Sequence, residues 1–139
     1  GEDAPPPGLV EALALGNRAQ DVLMSEYATG RTGNEILDRS KERLASERID
    51  ATIYTHAIGY HGHAAGPTIG LWDQQQGVPG AGDHPVFPDT AYSIELSIET
   101  PIAEWSGQPV RIMLEEDAFF DGERCTFLDG RQTEFWMVG

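Results

Sequence analysis

Three of the four histidines, His56, His61 and His63, lie within residues 53–70, a stretch with four glycines and no charged side chain. Histidine is the commonest metal ligand and the side chain most easily poised for proton transfer near neutral pH. Neighbouring glycines let the backbone approach a ligand closely. The stretch therefore indicates either a metal or proton-transfer site, or a buried turn whose histidines bind backbone carbonyls. Residue types alone leave both interpretations open.

Carboxylates that can join such a site occur on two later segments in which apolar and polar residues alternate. Glu95 lies on the polar side of one segment, and Glu115 or Glu116 lies on the next. If a strand carrying His56 shares a sheet with both segments, the three side chains can converge on a divalent cation. The competing interpretation is a sheet with one solvated face and ordinary surface glutamates, which residue types alone favour.

A second chelating pattern is His61-Gly62-His63, because alternate residues of a strand project to one side. No glutamate follows it at the near spacing that such a site needs. We therefore interpret His61 as structural and leave His84, in a later loop, unassigned.

The composition restricts the classes of partner. The chain has 139 residues, 40% of them hydrophobic and 23% charged, which is typical of one globular domain with a real core. Its net charge of −14 argues against nucleic acid and anionic membranes and suits cationic ligands, metal ions included. The single cysteine, Cys125, rules out an internal disulfide. No signal peptide is visible, so the compartment stays open, with the cytoplasm favoured.

Two helices are predicted ahead of the histidine stretch. Residues 1–8, with three consecutive prolines, indicate an extended leader. Apolar residues at helical spacing predict a first helix over residues 9–27. Thr32 and Glu35 form a capping box, which opens a second helix running to about Arg48.

The remainder is β-rich. We expect a short strand over residues 51–54 that delivers His56, and strands over 92–99, 110–120, 125–128 and 133–138. Pro101 is expected to end the strand over residues 92–99. Trp72 and Phe87 are expected to attach a long loop, residues 66–89, to the core. Two helices followed by strands favour an α+β fold.

A family resemblance is carried by the segment Thr55-His56-Ala57-Ile58-Gly59-Tyr60-His61-Gly62-His63. It resembles the Gly-His-Gly-Ile-Gly-Leu-x-x-His segment of the pita-bread metallopeptidases, which include methionine aminopeptidase, aminopeptidase P, prolidase and the metal-free creatinase. Residues 88–95 and 110–120 are similar to the two family strands that each carry a metal-ligating glutamate. The resemblance implies a partial pita-bread (creatinase/aminopeptidase) fold, with two helices packed on a mostly antiparallel β-sheet.

The resemblance also implies a role for each site residue. His56, Glu95 and Glu115 match the metal ligands, with Glu116 as the alternative to Glu115. His63 and Glu95 match the catalytic residues: His63 contacts the substrate carbonyl as it gains charge, and Glu95 relays a proton. The implied cofactor is a dinuclear pair of Mn, Co or Zn ions in the full-length enzyme, and one ion or none in this chain. The implied reaction is hydrolysis of the N-terminal peptide bond, as in an Xaa-Pro aminopeptidase or dipeptidase.

The chain departs from the family at two points. The dinuclear site also needs two aspartates on strands before the helices, whereas only Gly-Glu-Asp-Ala-Pro-Pro-Pro-Gly precedes Leu9 here. Leu96-Ser97 replaces the Pro-Gly that follows the ligand glutamate in the family. We therefore expect residues 1–139 to be a single domain, the C-terminal fragment of a pita-bread catalytic domain. Its parts are the leader (1–8), a helical pair (9–48) and a β-rich part (49–139), and alone it is expected to be inactive or nearly so.

Two alternatives stay open beside the metallopeptidase. One is a creatinase-like hydrolase that uses His56 or His63 without metal, and the other is a non-catalytic pita-bread module that binds a peptide or protein. The expected partner is a peptide substrate, with no nucleic acid and no membrane. Because half a sheet exposes an unpaired edge, pairing of two copies into a homodimer is a further hypothesis.

Overall fold

The first helix, α1 (Pro7–Ser25), begins at the last of the three consecutive prolines in the computed structural model, which describes residues 4–138. Proline is favoured at this position because the first helical residue needs no N–H donor. Within the predicted leader, residues 1–3, including Asp3, lie outside the described part of the chain. Neither this helix nor the next combines the length and apolar character needed to cross a lipid bilayer.

The second helix, α2 (Gly33–Ser46), begins with the predicted capping box. The Thr32 hydroxyl accepts a hydrogen bond from the Glu35 N–H, and the Glu35 carboxylate accepts one from the Thr32 N–H. This reciprocal pair satisfies two backbone donors that the first turn of a helix would otherwise leave free.

Six strands follow, and all pair in one antiparallel sheet. They are β1 (Asp50–Ile53), β2 (His56–Gly59), β3 (Gly62–His63), β4 (Thr90–Ile102), β5 (Gln108–Phe120) and β6 (Cys125–Phe127). Their order is β3-β2-β4-β5-β6, and β1 pairs with the same side of β4 as β2, in line with it. The predicted α+β class with two helices on an antiparallel sheet is confirmed.

The core lies between the helices and one face of the sheet. The predicted alternation of β4 is confirmed on this face, where Ile94, Leu96 and Ile98 are fully buried. They pack with apolar residues of both helices in one cluster. The alternate residues of β4 and β5 therefore face away from the helices, onto what we call the open face of the sheet.

The predicted end of β4 and the predicted last strand are wrong. The strand β4 does not end at Pro101 but continues to Ile102, with Pro101 opposite Pro109 of β5. Pairing with β1 stops at Glu99, so β5 is the only paired neighbour there, and a proline costs little at a strand edge. Residues 133–138, predicted as a last strand, form no strand. Their apolar residues had suggested one, but Trp136 is 87% exposed.

The long loop is held by residues other than those predicted. Trp72 and Phe87 are 74% and 59% exposed, so they do not pin it to the core. The buried anchors are instead Val78 and Val86. The Asn34 side chain of α2 also exchanges hydrogen bonds with the Val78 backbone, at 2.8 and 3.3 Å.

A buried carboxylate links the two helices. Glu26, directly after α1, has a side chain only 7% exposed and pairs with Arg31, Arg39 and Arg43 at 3.0, 2.8 and 2.6 Å. Burial alone raises the pKa of Glu26, but the guanidinium groups of Arg43 and Arg39 lower it by more, so the resulting pKa lies below that of an ordinary glutamate. Folding is therefore coupled to the ionised form of Glu26.

We expect Glu26→Gln to lower the free energy of unfolding at pH 7 by about 1 to 3 kcal/mol, because three guanidinium groups lose their shared counter-ion. Since the folded-state pKa is lowered, this contribution is present above the unfolded value of 4.5 and is lost as the pH falls through the folded value. Urea titrations from pH 7 to pH 3 should show the difference between wild type and variant shrinking on acidification. Glu42→Gln on the exposed side of α2 is the control, and a difference that stays constant with pH would contradict the assignment.

Candidate metal centre

The register of the two long strands places two carboxylates face to face. Glu95 of β4 lies directly opposite Glu115 of β5 on the open face. Glu116, the alternative, lies opposite Ile94 on the helix side, where its carboxylate accepts the Gln132 N–H at 2.8 Å. The structure therefore brings Glu115, and not Glu116, together with Glu95.

His56 completes a three-residue cluster with these glutamates. It begins β2, opposite Ser93, and its Nε2 lies 3.6 Å from Glu95 Oε2. Its Nδ1 lies 3.1 Å from the Ala57 carbonyl oxygen, and donation there leaves the Nε2 lone pair free on the side of Glu95. One ligand atom from each of His56, Glu95 and Glu115 lies within 4.8 Å of the other two.

Hydrogen bonds hold both carboxylates in place. The buried Thr55 hydroxyl accepts the Glu95 N–H and donates to the Glu95 carbonyl, both at 2.9 Å, which fixes the backbone that carries this carboxylate. The hydroxyl of Ser93, 1% exposed, donates to Glu115 Oε1 at 3.0 Å and so orients this carboxylate. Donors that orient a ligand carboxylate in this way typically strengthen metal binding.

The hairpin of β2 and β3 returns His63 to the same site. Gly62, with φ of 96°, takes the left-handed conformation that this tight turn requires. His63 lies opposite Ile58, and its ring stacks on that of His56 with centroids 3.8 Å apart. The two predicted site histidines are thus brought together.

The other two histidines do not join the cluster. His61 lies in the turn before β3 and contacts Tyr60 edge-on, so the chelating pair of His61 and His63 is not formed. The reason is that alternation applies only within a strand, and His61 precedes it. His84 lines a separate apolar cavity beside Phe87 and Tyr92.

The cluster opens into a cleft of about 450 Å³. The cleft is lined by His56, Ile58, Gly59, Gly62, His63, Ser93, Glu95, Glu115 and Asp117. The Asp117 carboxylate is a third acidic group in this cleft, and Asp117 lies opposite Ser93 on β5, two residues beyond Glu115. Sequence reasoning missed Thr55, Ser93 and Asp117. The spacing offered a signal for Ser93 and Asp117, since each lies two residues from a candidate ligand on the same face of its strand.

The electrostatics of the cluster favour a bound cation. Burial raises the pKa of Glu95 and the Glu115 carboxylate raises it further, while His56 and His63 act in the opposite direction. Carboxylates directly opposite each other repel. One imidazole and two carboxylates form a donor set that suits Zn, Mn or Co, and three protein ligands are enough for a single ion with an open position. The residues present therefore fit one divalent ion.

Solved structures of peptidases share this fold over nearly the whole chain. An X-Pro aminopeptidase from Thermotoga maritima MSB8 is 20% identical, with a TM-score of 0.63 over 99% of this chain and 35% of its own. The dipeptidase PepE from Mycobacterium ulcerans is 22% identical, with a TM-score of 0.61 over 94% of this chain and 32% of its own. A prolidase from Pyrococcus furiosus is 16% identical, with a TM-score of 0.60 over 94% of this chain and 35% of its own.

This chain therefore spans about a third of the length of the solved structures that it matches. No protein-family model and no curated protein sequence matches it. The structural likeness confirms the expected partial pita-bread fold, which X-Pro aminopeptidase, dipeptidase and prolidase structures share with this chain.

With a chelator present, Glu115→Gln is expected to raise the free energy of unfolding at pH 7 by a few tenths to about 1 kcal/mol, because it removes the like charge opposite Glu95. Urea titrations of the metal-free protein measure this difference. The matched control is Glu123→Gln, which removes an exposed carboxylate from the turn between β5 and β6. If Glu115→Gln destabilises the protein more than the control does, the two carboxylates do not repel each other as described.

Proposed function

We propose that this chain carries part of the active site of a metal-dependent peptidase that hydrolyses the N-terminal peptide bond of a peptide, as an Xaa-Pro aminopeptidase or dipeptidase does. The observation that carries the proposal is the convergence of His56, Glu95 and Glu115 on the open face of a fold shared with such peptidases. The sequence resemblance at the same three positions supports it independently of the coordinates.

Each residue has a role in this proposal. His56, Glu95 and Glu115 would hold a divalent ion, which supplies Lewis-acid chemistry and makes hydroxide available at neutral pH. Glu95 takes up a proton and passes it to the leaving amine. His63, stacked on His56 at the cleft, donates its N–H to the carbonyl oxygen as that oxygen gains charge. Ser93 and Thr55 hold the two glutamates in position.

The proposal assigns the complete reaction to the whole protein. Three ligands suit one ion, whereas a bridged pair of Mn, Co or Zn ions needs ligands beyond His56, Glu95 and Glu115. We therefore propose that the 139-residue chain binds a single ion and is inactive or nearly so by itself.

Calorimetric titration of the chain with Mn²⁺, Co²⁺ and Zn²⁺ tests the metal centre. We expect one ion per chain, and we expect His56→Ala or Glu95→Ala to weaken binding by more than about 100-fold, beyond the loss that a merely supporting residue causes. His61→Ala, on the same hairpin but outside the cluster, is the control and should leave affinity unchanged. No bound ion, or equal binding by His56→Ala, would overturn the proposal and favour the creatinase-like hydrolase or the non-catalytic module.

Activity assays with Xaa-Pro peptides test the incomplete site. The purified chain, loaded with metal, is expected to show no turnover above that of its His63→Ala variant, because within residues 4–138 the cluster consists of His56, Glu95 and Glu115 alone. Substantial turnover that depends on His63 would show that three ligands suffice. Peptide binding that His56→Ala leaves unchanged would instead identify a binding module.

A further inference from the structure

The open face continues past the candidate metal centre as a strongly acidic surface. Along β4, Glu99 follows Glu95 on the same face, with Asp50 of β1 on one side and Arg111 of β5 on the other. The carboxylates of this surface, which we call the acidic face, are Asp50, Glu95, Glu99, Glu115 and Asp117. Arg111 lies opposite Glu99 on this face, and Lys41 of α2, which donates to the Ala51 carbonyl, lies near Asp50 at its edge.

A small pocket of about 180 Å³ lies at the far end of this face. It is lined by Asp50, Thr52, Trp72, Ser97, Glu99 and Arg111. The Trp72 side chain is 74% exposed, so its indole is available to a ligand. Arg111 is turned towards Ser97, to whose hydroxyl its Nε donates at 3.0 Å.

The chemistry of the pocket suits a cationic group. Within residues 4–138, neither Asp50 nor Glu99 forms an ion pair. Like charges directly opposite each other across a strand pair cost free energy, which a bound cation would relieve. An exposed indole beside them adds a cation–π surface. A second copy of this chain would present the same negative charges and be repelled, so charge complementarity favours a basic partner.

The distance between the two sites sets the length of the ligand. Glu99 lies four positions after Glu95 in β4, which corresponds to about 13 Å along the strand. An extended peptide covers a similar length with about four residues. In an aminopeptidase a single residue precedes the cleaved bond, so only the part of the substrate beyond that bond can reach the pocket.

We propose that the acidic face binds the downstream part of a peptide substrate and that the pocket of Asp50, Trp72 and Glu99 takes a lysine or arginine side chain about four residues beyond the cleaved bond. This inference rests on the proposed function and narrows it to peptides longer than a dipeptide. It assigns to Trp72 and Glu99 a role in choosing the substrate, without contact with the bond that is cleaved.

Binding of synthetic peptides to the metal-loaded chain tests this inference. The probes are hexapeptides of the type Ala-Pro-Ala-Ala-Arg-Ala, with a free N-terminus, and partners in which citrulline, the neutral isostere, replaces arginine. The arginine is moved through positions three to six. We expect the arginine peptide to bind about ten-fold more tightly than the citrulline peptide when the residue is fifth, with the ratio falling as salt screens the attraction.

Variants of the pocket test whether it causes the arginine preference. Glu99→Gln and Trp72→Ala should remove most of the arginine preference, whereas Glu42→Gln, an exposed carboxylate on α2, should preserve it. Equal binding of both peptides, a preference for an acidic residue through Arg111, or a preference that the two variants leave unchanged would overturn the inference. A preference that is the same at every position would also overturn it, because that indicates diffuse attraction. Dimerisation of the chain that Trp72→Ala abolishes would show that a second copy occupies the face.

A separate measurement tests the proposed function independently of the peptide-binding pocket. The calorimetric titration with metal alone reports on His56, Glu95 and Glu115 without any peptide. If the chain prefers the arginine peptide but binds no metal, the proposed peptidase function is wrong and the proposed pocket stands. If the chain binds metal but shows no arginine preference, the proposed pocket is wrong and the metal centre stands.

Discussion

The repulsion between Glu95 and Glu115 is the constraint on which the site depends. The register between β4 and β5 places the two residues directly opposite each other on the open face. What keeps that register is the other face of the same strands, where Ile94, Leu96 and Leu114 are buried against the helices. A slip of one residue would turn this apolar set to solvent, which costs far more than the repulsion. Burial on one face thus maintains an unfavourable arrangement on the other.

Hydrogen bonds convert this arrangement into a site with defined geometry. The Thr55 hydroxyl accepts the Glu95 N–H, which a neighbouring strand would otherwise bind. Ser93 donates to one oxygen of Glu115, and the Ala57 carbonyl orients the His56 ring. Each of these partners belongs to β2, β4 or the residue just before β2, so rigid strands carry the site and no mobile loop contributes a ligand. A cation entering the cluster would meet donors already in place, which reduces the ordering that binding requires.

Features that depend on residues close together in the sequence were predicted better than features that depend on tertiary contacts. The capping box at Thr32 and the alternation of β4 and β5 depend only on residues close together in the sequence. The alternation of β4 therefore predicted that Glu95 faces away from the core. The choice between Glu115 and Glu116 was open because it depends on register, which pairing with β4 decides. The support from Thr55 was missed because it requires knowing that residue 55 meets residue 95. Residues 133–138 were predicted wrongly because an apolar segment becomes a strand only where a neighbouring strand is available to pair with it.

The open face also determines how the two-ion centre proposed for the whole protein would be completed. Helices α1 and α2 close the other face, so any further ligands must approach from the side where Glu95, Glu115 and Asp117 already concentrate negative charge. Additional carboxylates brought there without metal would increase the repulsion that the cluster already carries. Bound ions reverse the sign of that interaction, since each carboxylate then meets a cation rather than another anion. In the proposed whole protein, assembly of a complete centre would therefore be thermodynamically coupled to metal binding. The negative field of the open face, which opposes assembly without metal, would also attract the metal ions and basic peptides that this face is proposed to bind.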